Sequence, residues 1–243
     1  MIGPLHNRHG ERLDHVVTPG RAGAREIVVV AHGVTSQHDR PYLVALCEAL
    51  AAAGVASLRF SFAGNGRSEG AFAEATIGKE VADLGCVLDA CGDRRIGCVG
   101  HSMGAAVGVL RAAADPRIAA LVSLAGMVHV RAFCERHFAG LVPGRDQMFD
   151  RPGCGLSQAF LDDARAVDTV LPAAQRITVP WLLVHGDRDE LVPRADAEAA
   201  RRAAGGRPEL RVLAGADHRF TGCIEPMVAA VVPWLLAALR APA

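Results

Sequence analysis

The chain is short of several things. Lysine is nearly absent, with Lys79 the only one, and we read this, together with the many alanines, as a compositional habit rather than a clue to chemistry. Charge of one sign is not in excess: 26 acidic and 26 basic residues give a formal net charge of zero. No block of like charge could track a phosphate backbone, so nucleic acid is not an expected partner. No apolar run reaches the ~18 residues that span a bilayer. The first residues, MIGPLHNRHGERLDHVV, lack the apolar stretch of a secretory signal. A cytoplasmic protein with no membrane partner is therefore expected. The seven cysteines are odd in number and contain no CxxC pair. Cys47 and Cys98 sit inside apolar runs, as small core hydrophobes of a reducing compartment do. Cys134, Cys154 and Cys223 are the candidates for a surface thiol. There is no HExxH and no cluster of Cys and His, so no metal is expected. No GxGxxG opens a helix after the first buried strand, so no dinucleotide cofactor is implied.

What is present is rhythm. The length of 243 residues allows one large α/β domain or two small ones. Residues 1–20 read as a short hairpin turning near His9-Gly10 and ending at Pro19-Gly20. IVVVAHG (27–33) follows, a β-branched run of the kind buried on both faces of a sheet. Further strands are predicted at 55–62, 95–100, 117–126, 179–186 and 209–215. Helices are predicted at 41–54, 76–91, 103–115, 194–204 and 224–240. In the second of these, Ile77, Val81, Leu84, Val87 and Leu88 share a face. Alternation without repeats or long linkers argues for a mostly parallel sheet with helices on both faces. We read residues 1–243 as a single domain. Residues 127–175, with a helical piece near 156–171, interrupt the rhythm and read as a short cap insertion above the sheet.

The sharpest motif is Gly100-His101-Ser102-Met103-Gly104. It lies where a buried strand meets a small-residue helix, the context a nucleophile elbow requires. Such a turn holds the serine in a strained conformation and lifts its hydroxyl above the sheet edge. It also lies at a helix N-terminus, where N–H groups face developing negative charge. Serine needs a base. Ten histidines are available, and position selects His218, in the short loop GADHRF after a strand. Strand C-terminal ends converge on one edge of a parallel sheet, so this loop can meet the serine turn. The base needs an acceptor for its other ring nitrogen. Asp187, Asp189 and Glu190, in VPWLLVHGDRDELVP, can each serve on chemical grounds.

The order Ser102, Asp189, His218, with GHSMG at 100–104, HGxxDxxVP at 185–193 and GADH at 215–218, resembles the α/β-hydrolase superfamily over about residues 11–240. Within it the chain is similar to small-cap serine esterases such as carboxylesterases and cinnamoyl or feruloyl esterases. The resemblance implies an α/β-hydrolase fold. It makes Asp189 the acid and leaves Asp187 as a cap for the following turn. It also implies an oxyanion hole from the backbone amides of Val34 and Met103, with Gly33 permitting close approach. His32 is read as holding that loop. Arg67 and Ser68, in a stretch resembling the family's GxGxS loop, are read as holding their own turn. Gly33, Thr35, His101 and His129 are candidates for substrate contact. His137 and Met148 are cap residues for which ordinary packing is the competing account.

The expected function is hydrolysis of carboxylic esters with small to medium acyl groups through a Ser-His-Asp acyl-enzyme. Thioesterase, acylglycerol lipase and serine peptidase activities remain as alternatives on the same fold. So do an acyltransferase and a ligand-binding protein without catalysis. The expected partner is a small-molecule ester, and the apolar C-terminal helix is compatible with a monomer or a homodimer.

Overall fold

The computed structural model describes residues 2–240. The chain opens with a hairpin, β1 (Leu5–His6) and β2 (Arg12–Leu13), in which Leu5 faces Leu13. Asn7 holds its turn by accepting the amides of His9 and Glu11. The hairpin is shorter than the sequence suggested. The next strand, β3 (His15–Thr18), leaves it to join the main sheet, where it pairs antiparallel with β5 (Ala56–Phe60). The other strands are β4 (Glu26–Ala31), β6 (Arg95–His101), β7 (Ile118–Leu124), β8 (Trp181–Gly186) and β9 (Glu209–Leu213). The order across the sheet is β3-β5-β4-β6-β7-β8-β9, parallel from β5 to β9.

The pleat divides β4 between two cores. Val28 and Val30 face α1 (Pro41–Ala52) and α8 (Ile224–Arg240). Ile27, Val29 and Ala31 face the opposite layer, which holds α2 (Ile77–Ala90), α3 (Met103–Ala112) and α7 (Arg194–Ala203). Alternate residues serve opposite faces, so a strand covered on both sides must be apolar throughout, and this is why 27–31 is legible as a buried strand. Among the described residues no helix is long and apolar enough to cross a membrane. The seven cysteines are free, and Cys134 is buried rather than a surface thiol.

Residues 127–175 fold as α4 (Val130–Phe138), α5 (Gln158–Val167) and α6 (Leu171–Gln175). The helix expected near 156–171 is α5, which ends at Val167, and α6 is a further short helix after it. The break is at Asp168, which takes a positive φ of 55° and caps the end of α5.

Helix α2 carries a surprise on its buried face. Thr76 caps it by accepting the Lys79 amide, and Ile77, Leu84, Val87 and Leu88 are buried as the periodicity predicts. Val81 is only half-buried, whereas Glu80 and Asp83 are buried. Asp83 is satisfied by the Ala63 amide and the Asn7 side chain, both at 2.9 Å. Glu80 Oε2 has no partner. Burial, and then the charges of Asp83 and Asp163, push its carboxyl well above the ordinary value of 4.5. The neutral acid is therefore the folded form over a wide range.

A raised folded pKa gives stability that is full below 4.5 and is lost as the pH climbs toward the folded value. Glu80→Gln should therefore stabilise the chain more at pH 8 than at pH 5, as read by urea unfolding. An equal effect at both pH values would show that Glu80 is ionised in the fold.

Candidate active site

The parallel strands deliver the site at their C-terminal edge. Ala31 lies beside Gly100, His101 beside Leu124, Leu124 beside Val184, and Gly186 beside Leu213. The segments after β4, β6, β8 and β9 therefore emerge in one row. They carry Gly33-Val34, Ser102, Asp189 and His218.

Ser102 sits between β6 and α3 with φ 54° and ψ −118°. A non-glycine residue held there costs about 1–3 kcal/mol unless its surroundings fix it. They do. Its amide donates to the Leu124 carbonyl at 2.9 Å, and its carbonyl accepts from Ala105 at 3.0 Å and Met127 at 3.1 Å. The two glycines of the motif have a steric cause. A Cβ on Gly100 would collide with the Gly104 carbonyl, and one on Gly104 with the His32 carbonyl. The loop after β4 comes equally close, since a Cβ on Gly33 would stand 2.9 Å from that of Ser102.

His218 is buried in the loop after β9. Its Nδ1 lies 2.9 Å from Asp189 Oδ2 and 3.0 Å from Oδ1. A carboxylate only accepts, so Nδ1 carries the proton and neutral His218 keeps a free lone pair on Nε2. Asp189 also accepts the amides of Leu191 at 2.9 Å and Val192 at 2.8 Å. His185 Nε2 lies 3.3 Å from its Oδ2. Burial alone would raise the Asp189 carboxyl, but the hydrogen bonds from His185, His218 and Val192 outweigh it and hold the group well below the usual carboxylate range. Asp187 does not reach His218; it is exposed and accepts the Gly215 amide at 2.7 Å. Glu190 accepts the His218 amide at 3.3 Å, so it holds the backbone rather than the ring.

Three residues whose part in the site is not marked by local sequence hold this arrangement. His101 Nε2 lies 2.8 Å from the His218 carbonyl, and its Nδ1 3.0 Å from the Tyr42 hydroxyl. A carbonyl cannot donate, so Nε2–H donates to it and Tyr42 donates to Nδ1. His101 lines the cavity wall, but both ring nitrogens are taken, so it is a brace for His218 rather than a polar substrate contact. Burial, and then the charge of His218, lowers its pKa to about 3. Tyr42 is the only tyrosine, and nothing in its local sequence marks it. His185, inside the HGDRD stretch, steadies Asp189.

His32 is explained by the same logic. The Phe62 amide donates to its Nε2 at 3.1 Å, so its Nδ1–H donates to the Gly33 carbonyl at 2.8 Å. In a trans peptide the N–H points opposite to the C=O. Fixing the Gly33 carbonyl thus fixes the direction of the Val34 N–H. Burial lowers the His32 pKa to about 4. Ser68 Oγ closes its own turn by donating to the Ser61 carbonyl at 2.7 Å, and it accepts the amide of Asp14, the residue after β2, at 2.8 Å, while Arg67 Nε reaches the Asp14 carboxylate at 3.1 Å.

Ser102 and His218 line one cavity of about 50 Å³ with Gly33, Val34, Thr35 and His101. The cap adds Phe133 and Phe149, and Leu191 follows β8. Ser36, Tyr42 and three arginines, Arg40, Arg151 and Arg219, complete the lining. His129 is not part of it. Its amide is held by Asp196 at the start of α4, so the expectation of a substrate contact there is not met. His137 packs on Phe133 and Phe149 behind the wall, and Met148 is buried.

The chain matches the family described as serine aminopeptidase, S33, over residues 22–149 and 153–223. It is an α/β hydrolase of that family. Similar folds include Est1E of Butyrivibrio proteoclasticus with ferulic acid bound (TM-score 0.87, 24% identity, covering 98% of this chain and 100% of that one). Mouse α/β-hydrolase domain-containing protein 10 has a TM-score of 0.78 at 21% identity, covering 98% and 99% of the two chains. A curated relative, rat mitochondrial palmitoyl-protein thioesterase ABHD10, is 25% identical over 208 residues, which is 79% of this chain and 69% of that protein.

Because His32 and His101 have depressed values, they stay neutral as the pH falls from 8 to 5. In an NMR titration over that range their imidazole shifts should not move. A midpoint near the ordinary 6.5 for either would contradict the buried hydrogen bonds assigned to it.

Proposed function

We propose that the protein hydrolyses carboxylic esters through an acyl-enzyme on Ser102. The observation that carries this is the Asp189–His218 contact at 2.9 Å in the same cavity wall as the strained Ser102. Among the described residues Ser102 Oγ makes no hydrogen bond, and contacts of this kind often tighten only around substrate. His218 Nε2 removes the hydroxyl proton as Oγ bonds to the ester carbonyl carbon. The carbonyl π electrons move to oxygen, and the resulting oxyanion accepts from the amides of Val34 and Met103. Met103 is the first residue of α3, so its N–H has no partner within the helix. The Val34 N–H is equally unengaged among the described residues. When the tetrahedral intermediate collapses, the C–O bond to the alcohol breaks and His218 gives the alcohol its proton. Water then repeats the sequence on the acyl-enzyme and releases the acid.

The cavity volume favours a small or medium acyl group, and Phe133, Phe149 and Leu191 offer it apolar walls. A thioester, the substrate class in the rat relative's name, would pass through the same steps with a thiol as the leaving group. A peptidase taking a free N-terminal amine would need a carboxylate nearby, and neither aspartate nor glutamate lines the cavity.

Ser102→Ala should abolish hydrolysis of p-nitrophenyl acetate and butyrate with no change in the far-UV circular dichroism. Retained turnover would remove the proposal. Asp189→Asn should cost roughly 10⁴-fold in kcat by leaving His218 in the wrong tautomer. Asp187→Asn should cost little, and the reverse ranking would move the acid to Asp187.

A further inference from the structure

Positive charge is concentrated where the reaction occurs. Arg40, Arg151 and Arg219 line the cavity that holds Ser102 and His218. Arg40 and Arg151 also line a larger open groove beside it, of about 520 Å³, and no aspartate or glutamate lines either space. Several arginines elsewhere are neutralised in pairs, such as Arg117 on Asp89 at 2.6 Å, Arg194 on Glu198 at 3.0 Å and Arg211 on Glu209 at 2.7 Å, whereas others, such as Arg94 and Arg176, bond only backbone carbonyls; what marks the cavity group is three arginines on one small space with no acid in its lining. Among the described residues the three cavity arginines form no ion pair.

Two of them are also oriented. Arg40 Nε donates to Ser36 Oγ at 2.9 Å, and Arg151 Nη1 to the Thr35 carbonyl at 2.6 Å. Each anchor uses one N–H of a guanidinium and leaves the others free. Arg219 directly follows His218, and its exposed side chain makes no hydrogen bond among the described residues. Burial, and then the charges of Arg40 and Arg219, lowers the pKa of Arg151. Unpaired cations held close together are unfavourable on their own, and an anion that accepts from their free N–H groups removes the penalty.

We propose that Arg40, Arg151 and Arg219 bind an anionic group, a carboxylate or a phosphate, on the substrate itself. This rests on the ester-hydrolase reading above and narrows it: the enzyme takes esters whose acyl or alcohol part carries negative charge. The small cavity holds the scissile carbonyl. The anion lies at its junction with the groove, between Arg40 and Arg151, with Arg219 on the His218 side.

The test is a matched panel. Methyl 4-acetoxybenzoate is the neutral ester, while 4-acetoxybenzoate and 4-acetoxyphenyl phosphate carry the anion on the alcohol side. Phenyl hexanoate and phenyl hydrogen adipate make the same comparison on the acyl side. At low ionic strength at least one charged ester should have a kcat/KM about tenfold or more above its neutral counterpart, mostly through KM, the scale of one charged hydrogen bond. The arm that shows it identifies the anion and its side. High salt should shrink the preference. Arg40→Gln and Arg151→Gln should each reduce the charged-to-neutral ratio several-fold. Arg219→Gln, which breaks no hydrogen bond of the fold, should reduce it less, and Arg151→Lys should retain part of it. Neutral esters turned over as well as or better than charged ones, with activity still dependent on Ser102, would overturn the inference and leave the hydrolase reading intact. A charged preference that survives all the arginine variants would also overturn it. Activity that persists in Ser102→Ala would instead sink the underlying reading.

Discussion

The site depends on a steric crossing with almost no room in it. The end of β4, the end of β6 and the start of α3 approach so closely that Gly33, Gly100 and Gly104 cannot carry side chains where they stand. That closeness holds Ser102 in its positive-φ conformation and sets the loop after β4 against it. The strain is held by backbone bonds to Leu124, Ala105 and Met127, so it is distributed over β7, α3 and the start of the cap. A serine on an ordinary turn would be free to rotate away, whereas here the backbone leaves the hydroxyl facing the cavity.

Around this crossing the histidines form two kinds of group. His32 and His101 are buried, neutral and fully bonded, and each fixes a backbone group: the Gly33 carbonyl and the His218 carbonyl. His218 has one nitrogen bound to a carboxylate and the other unassigned, which is the condition for moving a proton. The distinction comes from hydrogen-bond partners and not from residue type, because acceptor oxygens dictate which ring nitrogen bears hydrogen. Asp189 faces His218 and His185 while two amides clamp it from behind.

The central sheet was legible because its strands are buried on both faces, which leaves long β-branched runs bounded by glycine. The elbow was legible for a related reason: close approach admits only glycine, and glycine is visible in a sequence. The end of the first hairpin was not, since His15–Thr18 is drawn into the sheet by pairing with a strand some forty residues later. The burial of Glu80 and Asp83 is not marked by the helical periodicity, and only the fold shows Asp83 tied to Asn7 of the hairpin. Tyr42 and His185 act through partners 59 and 4 residues away, and no local pattern encodes the first of these. His129 was misjudged because position in the cap does not say which side of a helix faces the cavity. The arginines were passed over as composition, and their grouping is a property of three loops that meet only in space.

The account stands on His218 making Ser102 reactive. Treating the native protein with a fluorophosphonate probe and locating the adduct by peptide mass tests this most directly. The account predicts one adduct, on Ser102, that is lost in His218→Ala while that variant remains folded. Labelling of a different residue, or labelling of Ser102 that is as fast without the imidazole, would contradict it.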